Sequence, residues 1–379
     1  MIYFDNNATT PVAREAAARM SEILAGDFGN PSSAHRAGRA ARRAVEEARR
    51  AVAALVGARA AEEIVFTSGG TESDNWAIAG ALETNPEKNH VVTTRVEHEA
   101  VRNLCEKLAR GRVEVTWLEV DENGFLDLDA LRRALRPATA VVSVMMANNE
   151  TGILFPVAEI AEIVKEHSDA LFHVDGVNAV GKTPVDLKAT EIDLFSLSGH
   201  KFHAPKGAGA LYVREGVSLP PFLVGGGQEN ARRAGTEAVH QIAGLGAAAA
   251  LVADLSPMDT VFEMRNRLEN EILQKIPNSR LNGTGDYAHR LPNTSSISFA
   301  DTNGEAVLAR LDDLGIAVST GSACNAGQHS ASAVLQAMNV PYAHAMGAIR
   351  FSLGRGNTPA EVDRLLEVLP GIVRELHTV

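Results

Sequence analysis

The chain has 379 residues, 45% of them hydrophobic and 22% charged, and a formal net charge of −11. That length exceeds what one hydrophobic core ordinarily supports, so two domains are expected. The acidic balance argues against a general nucleic-acid binder, which would need a basic face. The tract 242–255 is apolar but rich in Ala and Gly and too short to cross a bilayer, so it reads as a buried helix and no membrane partner is expected.

In chain order, a helix is expected over 37–56, closed by Gly57. Its Arg36, Arg39, Arg42, Arg43, Arg49 and Arg50 alternate with Ala, Val45, Glu46 and Glu47 at helical spacing, which reads as a solvated amphipathic face. Strands over 63–67, 90–93, 112–118 and 140–146 alternate with helices over 71–82, 99–108, 128–135 and 157–166. Two further strands follow, Leu171-Phe172-His173-Val174 closing on Asp175 and the alternating run 192–198, and then a strand over 208–213. Such alternation predicts βαβ units and a mostly parallel sheet with helices on both faces. Beyond Pro257 the pattern changes: helix 260–274, strand 295–299, helix 304–314, strand 316–319, helix 331–338, strand 348–353 and a last helix from about Thr358. The expected division is a large domain over 14–256 and a smaller α+β domain made of 1–13 and 257–379.

Lys201 lies just past strand 192–198, in Gly199-His200-Lys201-Phe202-His203, and Asp175 closes the strand before it. A loop lysine is ordinarily a solvated charge and a strand-end aspartate ordinarily a turn residue. Together they are the pair that pyridoxal phosphate (PLP) needs: an amine for the cofactor aldehyde, and a carboxylate that keeps the pyridine nitrogen protonated so the ring can withdraw electrons. The run Thr67-Ser68-Gly69-Gly70-Thr71-Glu72-Ser73 is a strand, a glycine turn and a helix start. It reads either as a plain capped turn or as an anion site, where Gly70 admits close backbone approach and Thr71 adds a hydroxyl. It is neither a Walker A loop nor a dinucleotide fingerprint. His98 follows strand 90–93 and is placed to lie over a ring or to move protons. Asn149 follows the buried strand 140–146, at the end where α/β sheets bind ligands. Asn178 is placed to reach a ring substituent, and Ser198 and His200 to donate to phosphate.

Only two cysteines occur, Cys105 and Cys324, which is no disulfide framework. The first residues show neither a basic n-region nor an apolar h-region, so a reducing cytoplasm is the expected compartment. No C-x-x-C or H-E-x-x-H spacing occurs, and no metal is expected. Cys105 sits in an apolar helical stripe and reads as inert packing. Cys324 lies among small residues in Ser319-Thr320-Gly321-Ser322-Ala323-Cys324-Asn325-Ala326-Gly327, a segment with little to bury, and reads as a nucleophile. Arg350, inside strand 348–353, needs an anionic partner, either a substrate carboxylate or a structural ion pair.

Read together, these motifs resemble the cysteine desulfurases of the NifS/IscS type, fold-type-I PLP enzymes to which selenocysteine lyase is closely related. The resemblance runs over nearly the whole chain. It includes Tyr3-Phe4-Asp5-Asn6-Asn7-Ala8-Thr9-Thr10, Gly29-Asn30-Pro31-Ser32-Ser33-Ala34-His35, Ser68-Gly69-Gly70-Thr71-Glu72-Ser73, Glu97-His98 and Asn148-Asn149-Glu150-Thr151-Gly152. It continues through Val174-Asp175, Ser198-Gly199-His200-Lys201, Pro205-Lys206-Gly207, Gly225-Gly226-Gly227-Gln228-Glu229, Arg233-Ala234-Gly235-Thr236, Gly321-Ser322-Ala323-Cys324 and Ser352-Leu353-Gly354-Arg355.

The resemblance implies the aspartate aminotransferase-like α/β fold and conversion of L-cysteine to L-alanine. Lys201 would be the cofactor lysine, Asp175 the partner of the ring nitrogen, and His98 the stacked imidazole. Gly70, Thr71, Ser198 and His200 would hold phosphate, and Asn149 and Arg350 the substrate. Cys324 would take the sulfur as a persulfide. It also implies a homodimer, in which Thr236 reaches the neighbouring subunit's phosphate, and a persulfide-accepting protein such as an iron–sulfur scaffold or a tRNA-thiolation protein. Two positions depart from the family: Asn178 stands where Gln is common, and Asn325 follows the cysteine where Ser or Thr is common. Selenocysteine lyase uses the same apparatus and is the alternative activity. A non-catalytic PLP-binding regulator is the alternative of a different class, and it would be expected to lack Lys201 or to carry a DNA-binding module.

Overall fold

In a computed structural model, which describes residues 1–320 and 331–377, the alternating part of the chain forms a seven-stranded sheet. Strand β1 (Ile2–Tyr3) and helices α1 (Arg14–Ala25) and α2 (Arg36–Leu55) come first. The sheet strands are β2 (Ile64–Thr67), β3 (His90–Thr94), β4 (Glu114–Leu118), β5 (Thr139–Met145), β6 (Leu171–Asp175), β7 (Leu194–Ser198) and β8 (Gly209–Val213). Between them run α3 (Gly70–Thr84), α4 (Glu99–Ala109), α5 (Leu128–Ala134) and α6 (Val157–His167).

The strand order is β2-β8-β7-β6-β5-β3-β4, and only β8 runs against its neighbours. This is the mostly parallel α/β sheet expected from the alternation. Strands β2, β3, β5, β7 and β8 are buried at every residue, as strands covered on both faces must be, while β4 forms a partly exposed edge. The Ala- and Gly-rich tract forms α7 (Val239–Val252), packed on α1 and α2. Gly246 belongs to that contact, since a Cβ there would meet Ala48 at 2.5 Å.

A second core follows. Helix α8 (Pro257–Lys275), strands β9 (Ser279–Leu281) and β10 (Thr294–Phe299), helix α9 (Gly304–Asp313) and strand β11 (Ile316–Ala317) precede the undescribed stretch. After it come α10 (Ala333–Ala337), α11 (Tyr342–Ala345), β12 (Ala348–Ser352) and α12 (Pro359–Leu376). Strands β12-β10-β9 form an antiparallel sheet, and β1 pairs in parallel with β11. Phe4 packs in this core with Leu268, Phe299, Ile349, Phe351 and Leu365. The N-terminal segment is therefore held by residues some 300 positions away. From the same part of the chain, Val334, Leu335 and Met338 pack instead against the main core.

Several expectations need correcting. Helix α1 is absent from the sequence reading, because only Ala16 and Ile23 of it are buried and no side chain caps it, which leaves little periodic signal. The strand expected over 316–319 is regular only at Ile316–Ala317, with Ser319 adding an isolated antiparallel bridge to Arg350, and the helix expected from 331 begins at Ala333, where the Ser332 hydroxyl accepts from Val334 N and Leu335 N. Arg49 is not part of a solvated face. It is buried, forms a two-point pair with Glu229 at 2.7 and 2.8 Å, and donates to Ile64 O. Glu229 also accepts from Phe66 N, so the pair pins the loop before α7 to α2 and β2.

Two predictions come from the cores. Glu269 on α8 bonds Arg290 at 2.9 and 2.6 Å and Ser295 at 2.7 Å, with both members of the ion pair buried. Arg265, fully buried against the edge-to-face rings of Phe262 and Tyr287, also leans on Glu269. Glu269→Gln leaves these guanidinium groups without a counter-charge and lowers stability by about 3–5 kcal/mol, measured by urea denaturation. Cys105 packs among Ile78, Val91, Val101 and Val141, and burial pushes its thiol up to about 12. In the folded protein at about pH 8 it stays unlabelled by iodoacetamide and becomes labelled on unfolding, as peptide mass analysis would show.

Candidate active site

Strands β6 and β7 are parallel neighbours, with Asp175 opposite Ser196, so both deliver their carboxyl ends to one place. Asp175 ends β6 and Ser198 ends β7, and His200 and Lys201 lie in the turn that follows. Gly176 allows the chain to turn there, because a Cβ would lie 1.8 Å from the Phe195 ring. These strand ends open on a cavity of about 350 Å³, whose lining includes Asn7, Gly70, Thr71, His98, Asn149, Asp175, Asn178, Ser198, His200, Lys201 and Arg350. Nearly every site residue expected from sequence meets here.

One wall is the start of α3. Gly70 packs so closely on the turn after β6 that a Cβ would lie 2.6 Å from Val177 Cγ2. The turn is braced by a 2.8 Å bond between the Thr67 and Ser73 hydroxyls. The first turn of this 15-residue helix lines the cavity at Gly70 and Thr71, beside Ser198, a setting that favours an anion. His98 caps α4: its Nδ1 accepts from Ala100 N at 3.1 Å, so the neutral ring carries its proton on Nε2. Burial holds His98 below the usual histidine range, against the pull of Asp175.

Asp175 accepts from Val177 N at 2.9 Å; burial raises its pKa, with His98 and Lys201 opposing. Lys201 Nζ donates to the carbonyls of Asn7 and Ala8, at 2.5 and 3.1 Å. Arg350 has the structural ion pair that is one of its sequence alternatives, and it also faces the cavity. It pairs with Asp5 at 2.7 Å and donates to Asn149 O at 2.9 Å, yet it lines the cavity and its buried Nε has no hydrogen-bond partner among the described residues.

Four buried polar positions in or beside the cavity were not singled out by sequence reasoning. Asp74 and Glu97 also line the cavity; burial drives Asp74 well above the usual carboxylate range and Glu97 up to about 8. Both are pushed toward the neutral form beside Asp175, and each keeps one buried oxygen without a hydrogen bond among the described residues. Lys182 and Asn7 are the other two, joined by a 3.1 Å bond. Asn7 and Glu97 stand in motifs quoted above, but nothing local marks any of the four as buried. Behind the floor, His173 bonds the hydroxyls of Ser143 and Ser196 at 2.9 Å each, and burial pushes it down to about 3.

Two expected residues are not brought to this cavity. Thr236 lines a neighbouring cavity with Ser68, Gly207 and Arg233. Cys324 lies outside the described residues. Thr320 and Ser332, which flank the undescribed stretch, both line the cavity, and the Ser332 hydroxyl bonds Glu150 at 2.5 Å.

Residues 2–365 match the aminotransferase class-V family. The cysteine desulfurase of Gluconacetobacter diazotrophicus is 52% identical, covering 99% of this chain and 94% of that protein. Cysteine desulfurase NifS of Azotobacter vinelandii is 47% identical, covering 100% of this chain and 94% of its own length. Among solved structures, a NifS-like protein superposes with a TM-score of 0.92 at 37% identity, covering 99% of this chain and 100% of that one. A structure described as SspA in complex with cysteine gives 0.81 at 34%, with 94% and 100% coverage. The chain belongs to the aminotransferase class-V family and, within it, to the cysteine desulfurases.

Proposed function

We propose that this protein is a PLP-dependent cysteine desulfurase that converts L-cysteine to L-alanine and keeps the sulfur as a persulfide on Cys324. The observation that carries this reading is the meeting of Lys201, Asp175, His98 and Arg350 on one cavity whose wall also holds Thr320 and Ser332.

The residues fit PLP. Asp175 is a buried carboxyl with room for a cationic ring nitrogen, the α3 start and Ser198 offer donors to a phosphate, and Lys201 supplies the amine. Asn178 Nδ2 is a buried donor without a partner among the described residues, as a site made for a ligand oxygen would leave it. Bound there, PLP supplies an electron sink for the carbon next to the substrate carboxylate.

The chain's own groups do the rest. Arg350, fixed by Asp5 and Asn149 O, holds the substrate carboxylate. Lys201 Nζ moves the α-proton, and His98 holds a proton on Nε2 at the cavity wall. The Cys324 sulfur bonds to the substrate sulfur as the carbon–sulfur bond breaks; the carbon keeps the electron pair, takes a proton and leaves as alanine. One thiol and one cysteine thus become one persulfide and one alanine, with no external oxidant or reductant.

The protein is proposed to act as a homodimer. Thr236 lies away from the Lys201 cavity, as a residue donated to a partner's phosphate would, and Phe222, Leu223 and Val224 of the same loop region are exposed, Val224 to 88%. The proposed sulfur acceptor is a protein, an iron–sulfur scaffold or a tRNA-thiolation protein.

The test is alanine release from L-cysteine by the PLP-loaded protein, with mass analysis of the unreduced Cys324 peptide. Alanine together with one added sulfur on that peptide is expected. Cys324→Ala removes the added sulfur and the cysteine-dependent alanine, and Lys201→Ala lowers turnover by roughly 100-fold or more. Alanine from selenocysteine but none from cysteine would make the protein a selenocysteine lyase instead.

A further inference from the structure

Lys182 takes no part in the reaction above, yet it is buried to 7% exposure beside the cavity. Its Nζ donates to Asn7 Oδ1 and Asn178 O at 3.1 Å each and to Asn178 Oδ1 at 2.7 Å. Three acceptors match the three protons of an ammonium group. Burial, then the Lys201 and Arg350 charges, draw its pKa well below the usual lysine value, while three acceptors within hydrogen-bond reach favour the ammonium form that can fill them all.

The surrounding network fixes which way each amide points. Asn293 Nδ2 donates to Leu353 O, which can only accept, and to Asn7 Oδ1. Asn7 Nδ2 donates to Asn149 O. Asn7 must therefore show its oxygen to Lys182. Lys182 spends its remaining proton on the Asn178 oxygen, which turns Asn178 Nδ2 the other way. That nitrogen is buried and has no partner among the described residues, and Asn178, unlike Lys182, lines the cavity. The amide is thus locked with a donor facing the ligand.

We propose that Lys182 is a positioning residue: it fixes the Asn178 amide so that Nδ2–H donates to an anionic oxygen on the ring bound beside Asp175. The inference rests on the cofactor assignment above. It also explains how Asn serves where Gln is common, since the lysine removes the rotational freedom of the shorter side chain. The physical consequence is measurable. A donor to the ring oxygen favours its anionic form, so the proton shared between that oxygen and the cofactor-bearing nitrogen of Lys201 leaves at lower pH. Losing the donor raises the pH at which it leaves by about one unit.

The experiment is a pH titration of the visible absorbance of the PLP-loaded protein for wild type, Lys182→Met, Asn178→Ala and the double variant. Both single variants are expected to move the midpoint up by about one unit, and the double variant by no more than Asn178→Ala alone. Should Lys182→Met fail to fold, Lys182→Gln enters the same cycle. A shift from the Lys182 substitution that persists in the Asn178→Ala background would mean the lysine acts through its charge, and would overturn the proposal. So would a wild-type band that titrates unchanged in the Lys182 variant. A folded wild type that takes up no PLP would overturn the cofactor assignment itself, which keeps the two failures apart.

Discussion

Asn7 is the point through which the second core holds the cavity in shape. Three residues before it, Phe4 is sealed among α8, β10, β12 and α12, and Asp5 pairs with Arg350. Asn7 then bonds in several directions at once: its carbonyl takes Lys201 Nζ, its Oδ1 takes Lys182 and Asn293, and its Nδ2 donates to Asn149 O and Thr294 Oγ1. It is 1% exposed, so each of these bonds is made away from water, where an unmet partner is costly. The amine and the guanidinium proposed to act on the substrate are therefore set by the same short stretch of N-terminal chain. Its position depends on a core built mainly from the last third of the sequence.

The charges around the cavity follow from burial. Asp74, Glu97 and Asp175 are carboxyls in one dry region, and three like charges there would repel strongly. Burial and the Asp175 charge push Asp74 and Glu97 up, even though Glu97 accepts from Thr94 and Met145 N, whereas Asp175 has the Val177 N–H, His98 and Lys201 on its side. A cationic ring nitrogen would complete that set at Asp175. His173, kept neutral between two serine hydroxyls, fills the layer behind without adding charge. Asp175, His98 and Arg350 are each held by hydrogen bonds to the protein itself, which limits the reorganisation that falls to the reacting state.

Much of this was legible in the sequence, for identifiable reasons. Asp175 and Lys201 stand at the ends of adjacent strands, and strand ends are where parallel sheets place ligands, so local pattern was enough. His98 and Gly70 also follow strand ends, but there the local pattern left plainer readings open and the family resemblance singled them out. The partners that fix these residues were not legible. Asn7 with Lys182, Arg350 with Asp5 and Arg49 with Glu229 are separated by 175, 345 and 180 positions. Residue type and spacing carry no signal for contacts of that range. Arg49 shows the cost: helical periodicity placed it on a solvated face, and only the path of the loop carrying Glu229 buries it. The direction of β8 was likewise invisible, since an antiparallel buried strand has the same apolar run as a parallel one.

The central claim is that the cavity is built around Lys201 as the lysine that bonds the cofactor. Borohydride reduction of the PLP-loaded protein, followed by peptide mass analysis, tests it most directly. The account predicts the reduced cofactor on the peptide containing Lys201 and none on the peptide containing Lys182. Label on Lys182 or on a surface lysine, or no stable label on a protein that binds PLP, would contradict it.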